Sequence, residues 1–82
     1  MHPHDVEKLI ASHIQCWHVS VEGEDRRHYT AIVVSPEFDG LSKLKRHQKV
    51  YQALGHHLQS DIHALVLHTH TPEEYTRLKD PA

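Results

Sequence analysis

Apolar residues near the start of the chain recur at helical spacing: Val6, Leu9, Ile10, His13 and Ile14 fall on one side of a helix. Pro3 is tolerated in a first turn, and Asp5 and Glu7 complement the positive end of the helix dipole, so a helix is predicted over 3–13. The period then changes. Cys16 to Val21 and Tyr29 to Ser35 are rich in β-branched and aromatic residues, and the polar stretch Glu22-Gly23-Glu24-Asp25-Arg26-Arg27 lies between them. An antiparallel hairpin with a six-residue connection follows. Ser35-Pro36 ends its second strand, because proline has no amide proton for a ladder. From Leu41 to Leu58, Leu41, Leu44, Tyr51, Leu54 and Leu58 form a helical stripe, entered through a turn at Asp39-Gly40 that needs a positive φ. Gly55 weakens the end of this helix, and fraying is expected near His56. Ile62 to Thr69 reads as a third strand, and Thr71-Pro72-Glu73-Glu74 opens a last helix reaching Lys79. The order is α-β-β-α-β-α, one α+β domain over 1–82 without repeats or a linker.

Eighty-two residues with 38% hydrophobic content close one core and leave no room for a deep substrate cleft. The longest apolar runs, Ala31 to Val34 and Ala64 to Leu67, fall far short of the roughly 20 residues that span a bilayer. Met1-His2-Pro3-His4-Asp5 lacks the features of a secretory signal, so a cytoplasmic protein without membrane contact is expected. Cys16 is the single cysteine, which excludes an internal disulfide. The formal charge of −2 disfavours a nucleic-acid binder that relies on bulk charge, yet eleven histidines would reverse the sign in mildly acidic buffer.

No Gly-x-Ser-x-Gly elbow and no glycine-rich phosphate loop occur, and Cys16 falls in a predicted strand with no helix N-terminus beside it. Catalysis is therefore not expected. Lys43, Lys45, Arg46, His47 and Lys49 make the central helix locally cationic. Such a run is either a solvated face or a surface for phosphates or an acidic partner. Among the histidines, His2 and His4 lie on the terminus, while His56 and His57 sit at a helix end where a cation suits the dipole. His68 and His70 share one strand face in chelating position but have no third ligand in sequence. His63 opens the third strand on the face of Leu65 and Leu67, opposite Ile62, Ala64 and Val66, as either a packed residue or an accessible ligand.

Four stretches then stand in a characteristic order: Ser35-Pro36-Glu37-Phe38-Asp39-Gly40-Leu41-Ser42, Lys45-Arg46-His47-Gln48-Lys49-Val50-Tyr51, Ile62-His63-Ala64-Leu65, and Thr69-His70-Thr71-Pro72-Glu73-Glu74-Tyr75. Together they resemble the BolA family over nearly the whole chain. The compact hairpin from Trp17-His18-Val19-Ser20 to His28-Tyr29 is more similar to the short-loop, acid-stress-associated branch than to BolA itself. The resemblance implies a class II KH-like fold with a three-stranded mixed sheet packed by helices. It also implies a role in iron and iron–sulfur homeostasis, as the partner of a monothiol glutaredoxin in a heterodimer sharing a glutathione-dependent [2Fe–2S] cluster. On that likeness His63 is the histidine supplied to the cluster. A second ligand comes from the hairpin loop, where His28 is the candidate and Cys16 and His18 are fallbacks. The isolated protein would carry no cofactor and be a monomer or a weak homodimer. The competing implication is DNA binding and transcriptional regulation through the Lys43 to Lys49 helix. Against it, the Gly-x-x-Gly clamp of true KH domains is replaced by Gly40-Leu41-Ser42-Lys43.

Overall fold

The computed structural model describes residues 1–60, 62 and 64–79. Helix α1 spans Pro3–His13, as the apolar spacing predicts. His2 caps it: its ring Nδ1 accepts the His4 N–H at 3.0 Å, and Pro3 takes the first helical position. Val6 and Ile10 are buried on the inner face, followed by Ile14 just past the helix end. His13 is exposed and belongs to the solvent side, so the buried stripe is narrower than the sequence spacing suggests.

Strands β1 (His18–Glu22) and β2 (His28–Val34) form the antiparallel hairpin. Glu22 stays in the ladder opposite Thr30, which leaves five residues, 23–27, for the connection rather than six. Cys16 lies before β1, in the loop leaving α1, not in the strand. Gly23 is required by packing: a Cβ there would stand 2.5 Å from Cδ1 of Tyr29, whose ring covers the loop. Past β2, the Ser35 hydroxyl accepts the Glu37 N–H and donates to the Gln15 carbonyl at 2.7 Å, starting the 3₁₀ turn Pro36–Phe38. Gly40 follows with φ 77°, the positive value its turn demands.

Helix α2 runs Lys43–Leu54, capped by the Ser42 hydroxyl on the Lys45 N–H. It ends four residues short of Leu58, because Gly55 adopts φ 57° and ψ −134° and turns the chain out of the helix. A single-turn helix α3, His57–Ser60, takes up the remainder. The predicted stripe on α2 is also corrected. Val50, Ala53 and Leu54 are buried, whereas Leu44 is 67% exposed and Tyr51 lies at the surface. Two apolar arcs on this helix share Leu54, and contact with α1 and the sheet selects the arc carrying Val50.

Strand β3 (Ala64–His70) lies parallel to β2, giving the mixed order β1-β2-β3. Val19, Val21, Tyr29, Ala31, Val33, Leu65, Leu67 and Thr69 occupy successive positions of one sheet face by register. This face meets α1 and α2 in the core, where each fully buried Val or Ile contributes about 1.5–3 kcal/mol. Ala64, Val66 and His68 fall on the opposite, exposed face. Ile62 is buried although alternation set it across from Leu65, because it precedes the strand and is not bound by its period.

Helix α4, Pro72–Lys79, starts with a reciprocal cap: Glu74 N–H donates to Thr71 Oγ1 at 3.2 Å and Thr71 N–H donates to Glu74 Oε1 at 2.9 Å. The α+β architecture with a three-stranded mixed sheet is as expected, with α3 and the 3₁₀ turn added. Among the described residues no helix is long and apolar enough to cross a membrane.

Candidate functional site

The short hairpin loop fixes the position and orientation of one imidazole. Asp25 turns the chain back on itself: its Oδ1 accepts the N–H groups of Arg27 at 3.0 Å and His28 at 2.9 Å. Arg26, between them, takes the left-handed conformation with φ 57°. The other carboxylate oxygen, Oδ2, lies 2.7 Å from Nδ1 of His28. The hydrogen bond from the His28 side chain, joined by those from the two backbone amides, holds the Asp25 carboxyl well below the usual carboxylate range. When the ring is neutral, donating Nδ1–H to this carboxylate places its lone pair on Nε2. That is the second-shell arrangement in which histidine serves a metal.

His28 is exposed and is the first residue of β2, where it pairs in register with Ala64 at the start of β3. The Ala64 N–H donates to the Arg27 carbonyl at 3.0 Å, which ties the hairpin loop to the head of the third strand. His63, the chain neighbour of Ala64, lies outside the described residues. The parallel register thus brings the loop histidine to the strand position next in sequence to His63, two residues that stand 35 apart along the chain.

Cys16 and His18 belong to the other end of the sheet. His18 pairs with Val34, the length of β2 away from His28, which is roughly 20 Å at about 3.3 Å per residue. There His18 stacks on Tyr75 of α4 at 5.4 Å between ring centroids, while His70 and Trp17 contact the same ring. The half-buried Cys16 thiol is pushed up, first by burial and then by the negative charge of Glu37, so its thiolate is disfavoured. The structure therefore does not bring the two fallback ligands to His28.

The cationic residues of α2 separate into three settings. Lys43 and Lys45 are exposed. Lys49 Nζ lies 3.3 Å from Glu37, whose carboxyl is lowered first by the Gln15 amide and then by Lys49. Arg46 makes a two-pronged bond to Glu74 at 2.7 and 3.2 Å and donates from Nε to the Leu41 carbonyl. That guanidinium, followed by the Thr71 amide, lowers the Glu74 carboxyl to about 2. His47 is half-buried, with Nε2 enclosed beside β3. His68 and His70 lie across from it, and among the described residues no three His, Cys, Asp or Glu side chains are grouped to hold a metal.

Two features escaped the reading of the sequence. Along the chain Asp25 reads as one polar residue of a turn, although its spacing three residues before His28 is the available signal for a side chain folding back on that imidazole. The Arg46–Glu74 pair joins residues 28 apart and has no local signature.

The chain matches the family model described as BolA-like protein over residues 1–74. It is 34% identical over 79 residues to the DNA-binding transcriptional regulator BolA of Haemophilus influenzae, covering 85% of this chain and 77% of that protein. With the acid stress protein IbaG of Escherichia coli it shares 31% over 78 residues, covering 94% and 92%. Several other curated BolA relatives are longer, and the matches span 35% to 58% of their lengths. Among solved structures, a BolA protein homologue from Coxiella burnetii is 45% identical with a TM-score of 0.80, covering 94% of this chain and 99% of its own.

Proposed function

The chain belongs to the BolA-like protein family, and on that premise we propose that it is an adaptor in iron and iron–sulfur homeostasis. In this reading it pairs with a monothiol glutaredoxin and contributes imidazole ligands to a glutathione-dependent [2Fe–2S] cluster. His63 is the principal donor and His28 the second. The observation that carries the reading is the His28 environment: Asp25 engages Nδ1 from a loop hydrogen-bonded to Ala64, the residue after His63. Donor chemistry fits the group, since a neutral imidazole oriented by a carboxylate is a good iron ligand. A cluster shared between proteins needs only one or two such donors from each side.

The cluster would supply one-electron redox chemistry and an exchangeable iron–sulfur unit. This chain's residues set its character. Imidazole in place of thiolate lowers the negative charge around iron and raises the reduction potential, as in other mixed Cys/His sites. Protonation removes the lone pair, so complex formation weakens as pH falls through the histidine range. The test is anaerobic co-purification of the full chain with a monothiol glutaredoxin and glutathione, followed by iron and sulfide analysis. A heterodimer carrying both elements in about equal amounts is expected; a chain eluting alone, with iron on neither protein, contradicts the reading.

A second reading, nucleic-acid binding through α2, is favoured by the exposure of Lys43 and Lys45 and by the name of the H. influenzae relative. Arg46 and Lys49 are already paired with carboxylates, which removes charge from that surface. Duplex affinity that survives physiological salt near pH 8 would support this reading over the first.

A further inference from the structure

Between the first turns of α2 and the last half of β3 lies a groove of about 430 Å³. Lys43, Arg46 and His47 line one wall, and His68 and His70 the other. None of the lining residues is acidic. Glu74 of α4 takes the guanidinium of Arg46, while the exposed Lys43 supplies fixed positive charge to the groove and the imidazoles supply ring N–H donors. Among the described residues β3 is an edge strand paired with β2, so alternate N–H groups on its outer side meet no further strand there. One ring nitrogen, Nε2 of His47, is buried there without a hydrogen-bond partner among the described residues. A polar atom enclosed in that way is costly unless something completes it.

We propose that this groove binds a small, multiply charged oxyanion of the phosphate class, held by Lys43, His47 and His68, and that an imidazole takes up a proton as the anion enters. The size and concavity suit one phosphate or diphosphate group rather than the extended row of phosphates on a duplex. Burial, then the charges of Lys43 and His68, disfavour the protonated form of His47 in the empty groove. Tyr51 is also in ring contact with His47, edge-on at 6.4 Å. An anion reverses the effect of Lys43 and His68, so binding and proton uptake reinforce each other. The site shares no residue with His28 or His63 and stands whether or not a cluster is carried.

The experiment is an amide-resolved NMR titration of the full chain with sulfate, whose charge is constant across the histidine range, and with inorganic pyrophosphate. Saturable shifts confined to α2 residues 43–47 and β3 residues 67–70 are expected, with pyrophosphate tighter than sulfate. For one linked proton, sulfate affinity falls by up to about tenfold per pH unit on going from about pH 6 to about pH 8. Lys43→Gln, at an exposed position, should weaken binding about fivefold at both pH values, and His47→Gln should flatten the pH dependence. Should His47→Gln fail to fold, Lys43→Gln and the pH dependence of the wild-type chain still decide the matter. Shifts that do not saturate or that spread over all surface lysines would overturn the proposal, as would an unchanged Lys43→Gln or equal affinity at both pH values. Duplex DNA displacing sulfate, with shifts continuing along Lys45 and Lys49, would overturn it in favour of a nucleic-acid surface.

Discussion

At one end of the sheet His28 stands where a five-residue loop enters β2, exposed, its Nδ1 held by an equally exposed carboxylate. At the other end His18, which is also exposed, and His70 lie against the Tyr75 ring of α4, the Cys16 thiol is pushed up, and Arg46 is locked to Glu74. Both ends carry histidine, an acidic residue and an aromatic ring, yet the arrangements differ. Around Tyr75 the imidazoles are packing partners, with Lys79 over the same ring at 4.9 Å. In the hairpin the tyrosine turns inward against Gly23, and the carboxylate is left to orient the imidazole. Residue type alone thus does not set what an imidazole does; the group each ring meets does.

The contrast can be broken at either end, and the hairpin end should respond most. Gly23→Ala drives a Cβ into the Tyr29 ring, so the loop or the ring must shift; overpacking of this kind costs about 1–3 kcal/mol. Thermal unfolding should then move down by roughly 4–8 °C per kcal/mol, and the amides around His28 should shift with it. At the Tyr75 end, Glu74 has its ordinary value of 4.5 lowered to about 2 in the folded chain, so its contribution is complete above the unfolded value and is lost as pH falls from about 4.5 toward 2. Its side chain is 42% exposed, and with solvent screening the loss is about 1 kcal/mol. Glu74→Gln should remove that part of the acid dependence in urea melts at graded pH. The smallest effect on folding is expected for Asp25→Asn, at so exposed a site. Its mark should be on His28 instead, as an altered imidazole tautomer ratio in nitrogen NMR and weaker metal loading of the glutaredoxin complex.

Much of this architecture was readable along the chain because its signals are local. The periodicity of Val6 and Ile10, the break at Ser35-Pro36, the glycine turn at Gly40 and the Thr71–Glu74 cap all act within a few residues and appear where expected. The reading failed where two local answers were available. Leu44 and Tyr51 make as good a stripe as Val50 and Ala53, and only contact with α1 and the sheet decides between them. Likewise Gly55 is compatible with a weakened helix or a helix end, and its positive φ settles for the end. For the candidate site, His28 and His63 were named from family resemblance. The register joining His28 to Ala64 depends on parallel pairing across the whole chain, which no short motif encodes. The groove beside β3 was hidden for the same reason: Lys43 and His68 belong to separate elements that meet only in the folded protein.

The most direct measurement is the visible absorption of the anaerobic complex with a monothiol glutaredoxin and glutathione, compared for the wild-type chain, His63→Ala, His28→Ala and His18→Ala. The account predicts cluster bands for wild type, loss or displacement of those bands in the first two variants, and no change in the third. Identical spectra for wild type and His63→Ala would contradict it.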